Sequence, residues 1–322
     1  MKLKTSLIAL TLLFSLSVSS AEKTTIRLGV LAFGTVNWEL TSLINQGLLA
    51  DENFQLDILP VASPQAGKIA LQSGAVDIIV SDWIWVSRLR STGSNYSFYP
   101  YSNTSGALII PANSSIKSIA DLAGKKLGIA GGELDKNWLL LQALSQQQNQ
   151  LNLNSSVEKV YGAPPLLNQQ IEHNRVDALI NYWHFAAKLE AKGYTQLING
   201  QQILQQLGIK ESVATLGYVF DRLWATQNKT MLNRFLKLTQ QAKHQLCTSD
   251  SAWQQIIPLT KAKDSATQNK LRERYCAGQI KQWGEKQHLA AAKIYKLLRK
   301  LSNNKLTGRS ESIEANTFWM ID

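Results

Sequence analysis

The sequence predicts an α/β protein of two similar lobes, each a mostly parallel sheet flanked by helices. Three observations predict it. Short, branched strand segments alternate with helical ones, the pattern of an open parallel sheet covered on both faces. The alternation breaks at residues 96–111 and then restarts. A unit of helix end, tight turn and buried strand also occurs twice, as Gln72-Ser73-Gly74-Ala75-Val76-Asp77-Ile78-Ile79 and Glu172-His173-Asn174-Arg175-Val176-Asp177-Ala178-Leu179, each with Asp second in its strand.

The chain opens on Lys2 and Lys4, an apolar run over residues 7–18, and Ser19-Ser20-Ala21. This is the form of a secretory signal, over residues 1–21 and cleaved after Ala21. The run is too short for a membrane span, and the cleavage site has no Cys for a lipid anchor. Export to a periplasm is expected. Residues 25–30 alternate as a strand, 33–38 form a turn, and 38–49 carry Leu40, Leu43, Ile44 and Leu48 on one helical face. A second strand spans 55–61. Pro64 opens a helix that Ser73-Gly74 ends, and 76–80 is a third, nearly all-apolar strand.

Residues 97–101 and 106–110 are extended around a polar turn. Residues 119–124 form a short helix with a glycine stop, followed by a strand at 126–130, a helix at 135–147 and a strand at 157–161. A helix at 164–173 and a strand at 176–180 complete the second series. Residues 212–220 are extended. Beyond them lie helices at 229–246, 251–257, 264–275 and 282–301; Leu232, Phe235, Leu236, Thr239, Ala242 and Leu246 give the first a buried stripe. The polar C-terminal stretch ends Phe318-Trp319-Met320-Ile321-Asp322, which reads as a tail docking on the body.

Lys and Arg total 34 against 23 Asp and Glu, a formal charge of +11; setting aside Lys2 and Lys4 leaves about +9. The charge is dispersed, densest over Lys296, Arg299, Lys300, Lys305 and Arg309, and forms no nucleic-acid module. Cys247 and Cys276 are the two cysteines, and an exported protein favours their pairing as a disulfide. No metal-ligand or redox spacing is present.

In open α/β sheets, ligands bind beyond the carboxyl ends of the strands. That rule selects residues 32–38, 62–65 and 81–85 in one lobe, and 131–135, 161–164 and 181–184 in the other. Trp38, Trp83, Trp85, Trp138, Tyr161, Tyr182 and Trp183 cluster there, suited to stacking on a planar or aliphatic ligand. The helix starts after Thr35, at Pro64 and after Gly132 offer free amides to an anionic group. Glu39, Asp82, Glu133 and Asp135 lie close by, with Lys68, Arg88 and Lys136 as nearby cations. Glu133 and Asp135 are placed as helix caps. Asp82 amid Trp rings suits a ligand bearing a cationic or N–H-rich group, and these acids disfavour a bare inorganic anion. No catalytic constellation appears: Gly-x-Ser-x-Gly and His-Glu-x-x-His are absent, no Cys lies in a cleft loop, and only His184 with Asp82 offers an acid–base pair. Gly128-Ile129-Ala130-Gly131-Gly132 lacks the spacing of a nucleotide loop, and no cofactor is implied.

Four segments together resemble the periplasmic solute-binding proteins of ABC importers, in the nitrate/sulfonate/taurine and pyrimidine-precursor branch. They are residues 26–30 after an export signal, 71–79, Ile119-Ala120-Asp121-Leu122-Ala123-Gly124-Lys125-Lys126-Leu127-Gly128-Ile129, and Val176-Asp177-Ala178-Leu179-Ile180-Asn181-Tyr182-Trp183. The likeness covers about residues 24–260 and implies the type II periplasmic-binding-protein fold. Its lobes would be residues 24–104 with 215–322 and residues 105–214, joined by crossover strands near 102–106 and 212–216. It further implies a non-enzymatic monomer that closes by hinge motion on a small organic solute (a sulfonate, amine or heterocycle) and delivers it to an inner-membrane permease. Asn37, Trp38, Ser81, Asp82, Trp83, Gly132, Glu133, Tyr161, Tyr182 and Trp183 occupy loops that contact solute in such proteins. The sequence departs from the branch at Trp183-His184-Phe185, where members often carry Glu-Pro after the aromatic residue. Its helical extension beyond about residue 280 leaves room for an alternative, a non-transport partner of an exported enzyme or sensor.

Overall fold

The computed structural model describes residues 23–321; the signal expected over residues 1–21 lies outside them. The first series is β1 (Thr24–Leu31), α1 (Val36–Asn45), β2 (Phe54–Val61), α2 (Pro64–Gln72), β3 (Ile78–Asp82), α3 (Trp83–Arg90) and β4 (Tyr96–Ser102). The second is β5 (Ala107–Ile110), β6 (Lys126–Ala130), α4 (Lys136–Asn149), α5 (Leu153–Ser156), β7 (Glu158–Gly162), α6 (Pro164–Glu172), β8 (Ala178–Asn181), α7 (Trp183–Ala191), β9 (Thr195–Asn199) and α8 (Gly200–Gln206). The chain then returns through β10 (Leu216–Asp221) and α9 (Arg222–Gln227) to α10 (Lys229–Thr248), α11 (Asp250–Thr260), α12 (Ser265–Ala277) and α13 (Glu285–Leu301).

The two five-stranded sheets have matching orders, β2-β1-β3-β10-β4 and β7-β6-β8-β5-β9. In each, three parallel strands are followed by one antiparallel strand that enters straight from a crossover: β5 coming over, β10 going back. This is the two-lobed, type II binding-protein architecture. The repeated Asp does the same work in both lobes. Asp77 accepts the Arg27 backbone N–H at 2.9 Å, midway along β1, and Asp177 accepts that of Lys126 at 2.8 Å, at the start of β6, each pinning its lobe's central parallel strand.

Two helices arise where the sequence reading has loops. α3 starts directly at the end of β3, capped by Asp82, whose Oδ1 accepts the Trp85 N–H at 2.9 Å; α7 follows β8 after Tyr182 alone. Residues 83–87 are all buried, so no 3.6-residue alternation marks α3. The β9–α8 segment also lies outside the sequence reading, its strand being short and half-buried.

The C-terminal helices pack on both lobes. α10 and α11 cover α1, α12 lies along α7, and α13 rests against α4. Cys247 and Cys276 form a disulfide that ties α10 to α12 across a separation of 29 residues. The tail docks as the sequence suggests. Phe98 donates its N–H to Thr317 O at 2.7 Å and accepts that of Trp319 at 2.8 Å, so residues 317–319 cover the edge strand β4. Trp319 is buried and donates Nε1–H to Asn233 Oδ1 at 3.0 Å.

Candidate functional site

The carboxyl ends of β1, β2, β3, β6 and β8 face one another across a cavity of about 360 Å³ between the lobes. Both crossovers form its wall, with Tyr101 and residues 103–106 on one side and Val213, Thr215 and Leu216 on the other. Gln201 of α8 clasps the two crossovers together. Its Nε2–H₂ donates to Asn103 O at 3.0 Å and to Ser212 Oγ at 2.7 Å, and its backbone N–H to Ser105 Oγ at 3.2 Å. Gly278, just past α12, accepts the Asn103 N–H at 2.9 Å; a Cβ there would collide with Thr104.

Of the residues singled out from the sequence, the structure brings Ser81 and Asp82 from one lobe to Tyr182 and Trp183 from the other, all on the cavity wall. Trp38 is buried one layer behind. It packs edge-on against Trp183 (5.8 Å between ring centroids) and Trp253 (5.7 Å) and tilted on Tyr275 (5.4 Å). Asn37 turns inward, donating Nδ2–H₂ to Leu31 O and Gly34 O at 3.0 Å, and so holds the β1–α1 turn. Trp83 is fully buried and donates Nε1–H to Ala214 O at 2.9 Å, fastening α3 to the return crossover. Gly132, Glu133 and Tyr161 stand outside the cavity lining, with Glu133 exposed and Gly131 lining in place of Gly132. Tyr101, Asn103, Asn137 and Gln201 line the cavity but lie outside the strand-end loops. The polar run at residues 102–106 was the available signal for Asn103; Tyr101, Asn137 and Gln201 had none.

The charges differ from a simply acidic pocket. Lys136 Nζ reaches across from α4 to Asp82 Oδ2 at 3.2 Å. Burial pushes the Asp82 carboxyl up, yet Lys136, Lys68 and the Trp85 amide together outweigh it and hold it below the ordinary value. Lys68 Nζ sits 4.8 Å from the centre of the Trp85 ring, a cation–π contact. Burial lowers its pKa, with Asp82 opposing. Asp135 caps α4 by accepting the Trp138 N–H at 3.0 Å, and burial raises its pKa. Glu39 stands behind the cavity and is fully engaged, with Tyr275 at 2.7 Å, Lys243 at 3.3 Å and Tyr218 at 3.4 Å. The cavity therefore holds two ammonium groups, one paired carboxylate and a capping one. A ligand's anionic group is not repelled there.

His184 lines the same wall, with both ring nitrogens buried and without a hydrogen-bond partner. Burial, and then Lys188, lower its pKa to about 3, so the ring is neutral. Among the described residues, no group of three His, Cys, Asp or Glu could hold a metal ion, and no helix is long and apolar enough to cross a membrane.

Two lobes, a cavity at facing strand ends and two crossovers in its wall define the class: a bilobed solute-binding protein. The chain belongs to the NMT1/THI5-like family, whose model matches residues 44–249. No curated protein matches the sequence. Among solved structures, the aliphatic sulphonate binding protein SsuA of Escherichia coli superposes with a TM-score of 0.70 at 18% identity, over 91% of this chain and 96% of that one. The alkanesulfonate-binding protein SsuA of Xanthomonas axonopodis pv. citri, bound to MOPS, gives 0.69 at 15%, over 93% and 99%. An ABC transporter structure from Parabacteroides distasonis gives 0.70 at 14%, over 93% and 100%.

Proposed function

We propose that this protein is the solute-binding component of an ABC-type importer, closing its lobes on a small organic solute in the periplasm. One observation carries the reading: a cavity of about 360 Å³, built at once from the strand ends of both lobes and from both crossovers. Such a cavity shrinks and grows as the lobes rock, which is what a receptor that captures and releases needs. The lobes divide as residues 24–104 with 215–322 and residues 105–214. Ser81, Asp82, Tyr182 and Trp183 touch the solute, with Lys68 and Lys136 beside them. Asn37, Trp38 and Trp83 support the wall from behind. Export follows cleavage after Ala21, and a monomer delivers the solute to an inner-membrane permease.

The sulphonate named for two structural neighbours and the lysine pair favour a solute with an anionic head and an organic body. Thermal unfolding against sulfonates, carboxylates, amines and heterocycles tests this. A solute at a hundred times its Kd stabilises by about 2.7 kcal/mol. The rise should disappear in Trp183→Ala and weaken in Lys68→Ala. No rise with any class would transfer the reading to a non-transport partner protein.

A further inference from the structure

One face of α13 carries a charge that the cleft does not use. At about 100° per residue, Lys286, Leu289, Lys293, Lys296 and Lys300 fall within an arc of about 80°. All five are exposed, Leu289 at 60%. The opposite face (Ala290, Ile294, Tyr295, Leu298) is buried in the body. Glu285 is the helix's one acid. Among the described residues, no carboxylate lies within ion-pair distance of these four lysines, whereas Arg299 on the flank faces Glu311 at 3.9 Å. Lys305, beyond the helix end, is also exposed.

We propose that this lysine face is a docking surface for an anionic lipid bilayer. Its composition favours lipid over a protein partner: protein interfaces are depleted in Lys and enriched in Arg, Tyr and Trp, while rows of Lys bind anionic headgroups as diffuse point charges. Because the apolar face of α13 is occupied by the body, the helix cannot insert. Attachment is electrostatic and reversible. It would keep an exported receptor close to the membrane surface, independently of what the cleft binds.

Co-sedimentation of the purified protein with phosphatidylcholine vesicles, with and without phosphatidylglycerol, tests this. Binding should require phosphatidylglycerol and fall away as salt shortens the Debye length to about 10 Å and below. Lys293→Glu/Lys296→Glu/Lys300→Glu should weaken it at least about tenfold. Lys117→Glu/Lys210→Glu/Lys263→Glu makes the same net charge change on exposed residues elsewhere and should stay within about twofold of the parent. Equal loss in both variants would reduce the effect to net charge and overturn the proposal. So would absence of binding by the parent at low salt, or capture of an acidic protein without vesicle binding. Unchanged melting temperatures of both variants confirm that each is folded.

Discussion

Asp82 serves two partners because its oxygens point in different directions, Oδ1 to the Trp85 amide at the start of α3 and Oδ2 to Lys136 of the other lobe. Asn can keep the cap but not the charge. Asp82→Asn should therefore leave stability within about 1 kcal/mol of the parent, strengthen binding of anionic solutes and weaken that of cationic ones; calorimetric titration checks both signs. His184 predicts a pH effect. Its folded pKa of about 3 lies below the unfolded 6.5, so the unfolded chain binds the extra proton as pH falls. Stability from this residue is full above 6.5 and is lost on descending toward 3, by up to about 1.4 kcal/mol per pH unit. Melting curves from pH 7 to 4 should fall less steeply for His184→Phe. An equal slope would refute the assignment.

At the scale of elements, the disulfide ties α10 to α12 and the tail closes the edge of β4. In the chain-entropy account, a bridge over 29 residues stabilises by about 3.5 kcal/mol. Cys247→Ser/Cys276→Ser should lose a comparable amount in denaturant unfolding. The tail covers the edge of β4 and buries Trp319, which packs edge-on against Phe220 at 5.7 Å. Trp319→Ala should cost about 3–5 kcal/mol, read as a lowered denaturation midpoint. Every strand but β9 was legible from branched residues and alternation, and the repeated Asp marked the same register in both lobes. α3 and α7 were not legible. Helix periodicity shows only where one face meets water, and most of α3 has no such face.

Across the whole molecule, contacts that span the cleft set how far it can open. Besides Lys136 with Asp82 and Trp38 with Trp183, Arg274 of α12 pairs with Glu190 of α7, while the disulfide ties α12 to α10 on the first lobe's side. α12 thus straps one lobe to the other. Reduction of the disulfide should enlarge the radius of gyration of the solute-free protein in small-angle scattering and leave the solute-bound form unchanged. Identical values in both redox states would remove the strap from the account.

Residue type and spacing along the chain were enough to read the α/β class, the two lobes and the strand ends that face the cavity; the export signal favoured the cysteine pairing, and the crossover positions came from the family resemblance. The class, the lobes and the strand ends are consequences of local periodicity and of topology rules that follow from chain chirality. They could not tell a ring that faces the cavity from one that faces the core. Trp38, Trp83 and Trp183 look alike in sequence, yet Trp83 is sealed against Ala214, Trp38 lies behind, and Trp183 meets the open space. That difference arises from how the two sheets approach each other, which also brings Lys136 to Asp82 from 54 residues away and pairs a carboxylate that looks unpaired along the chain.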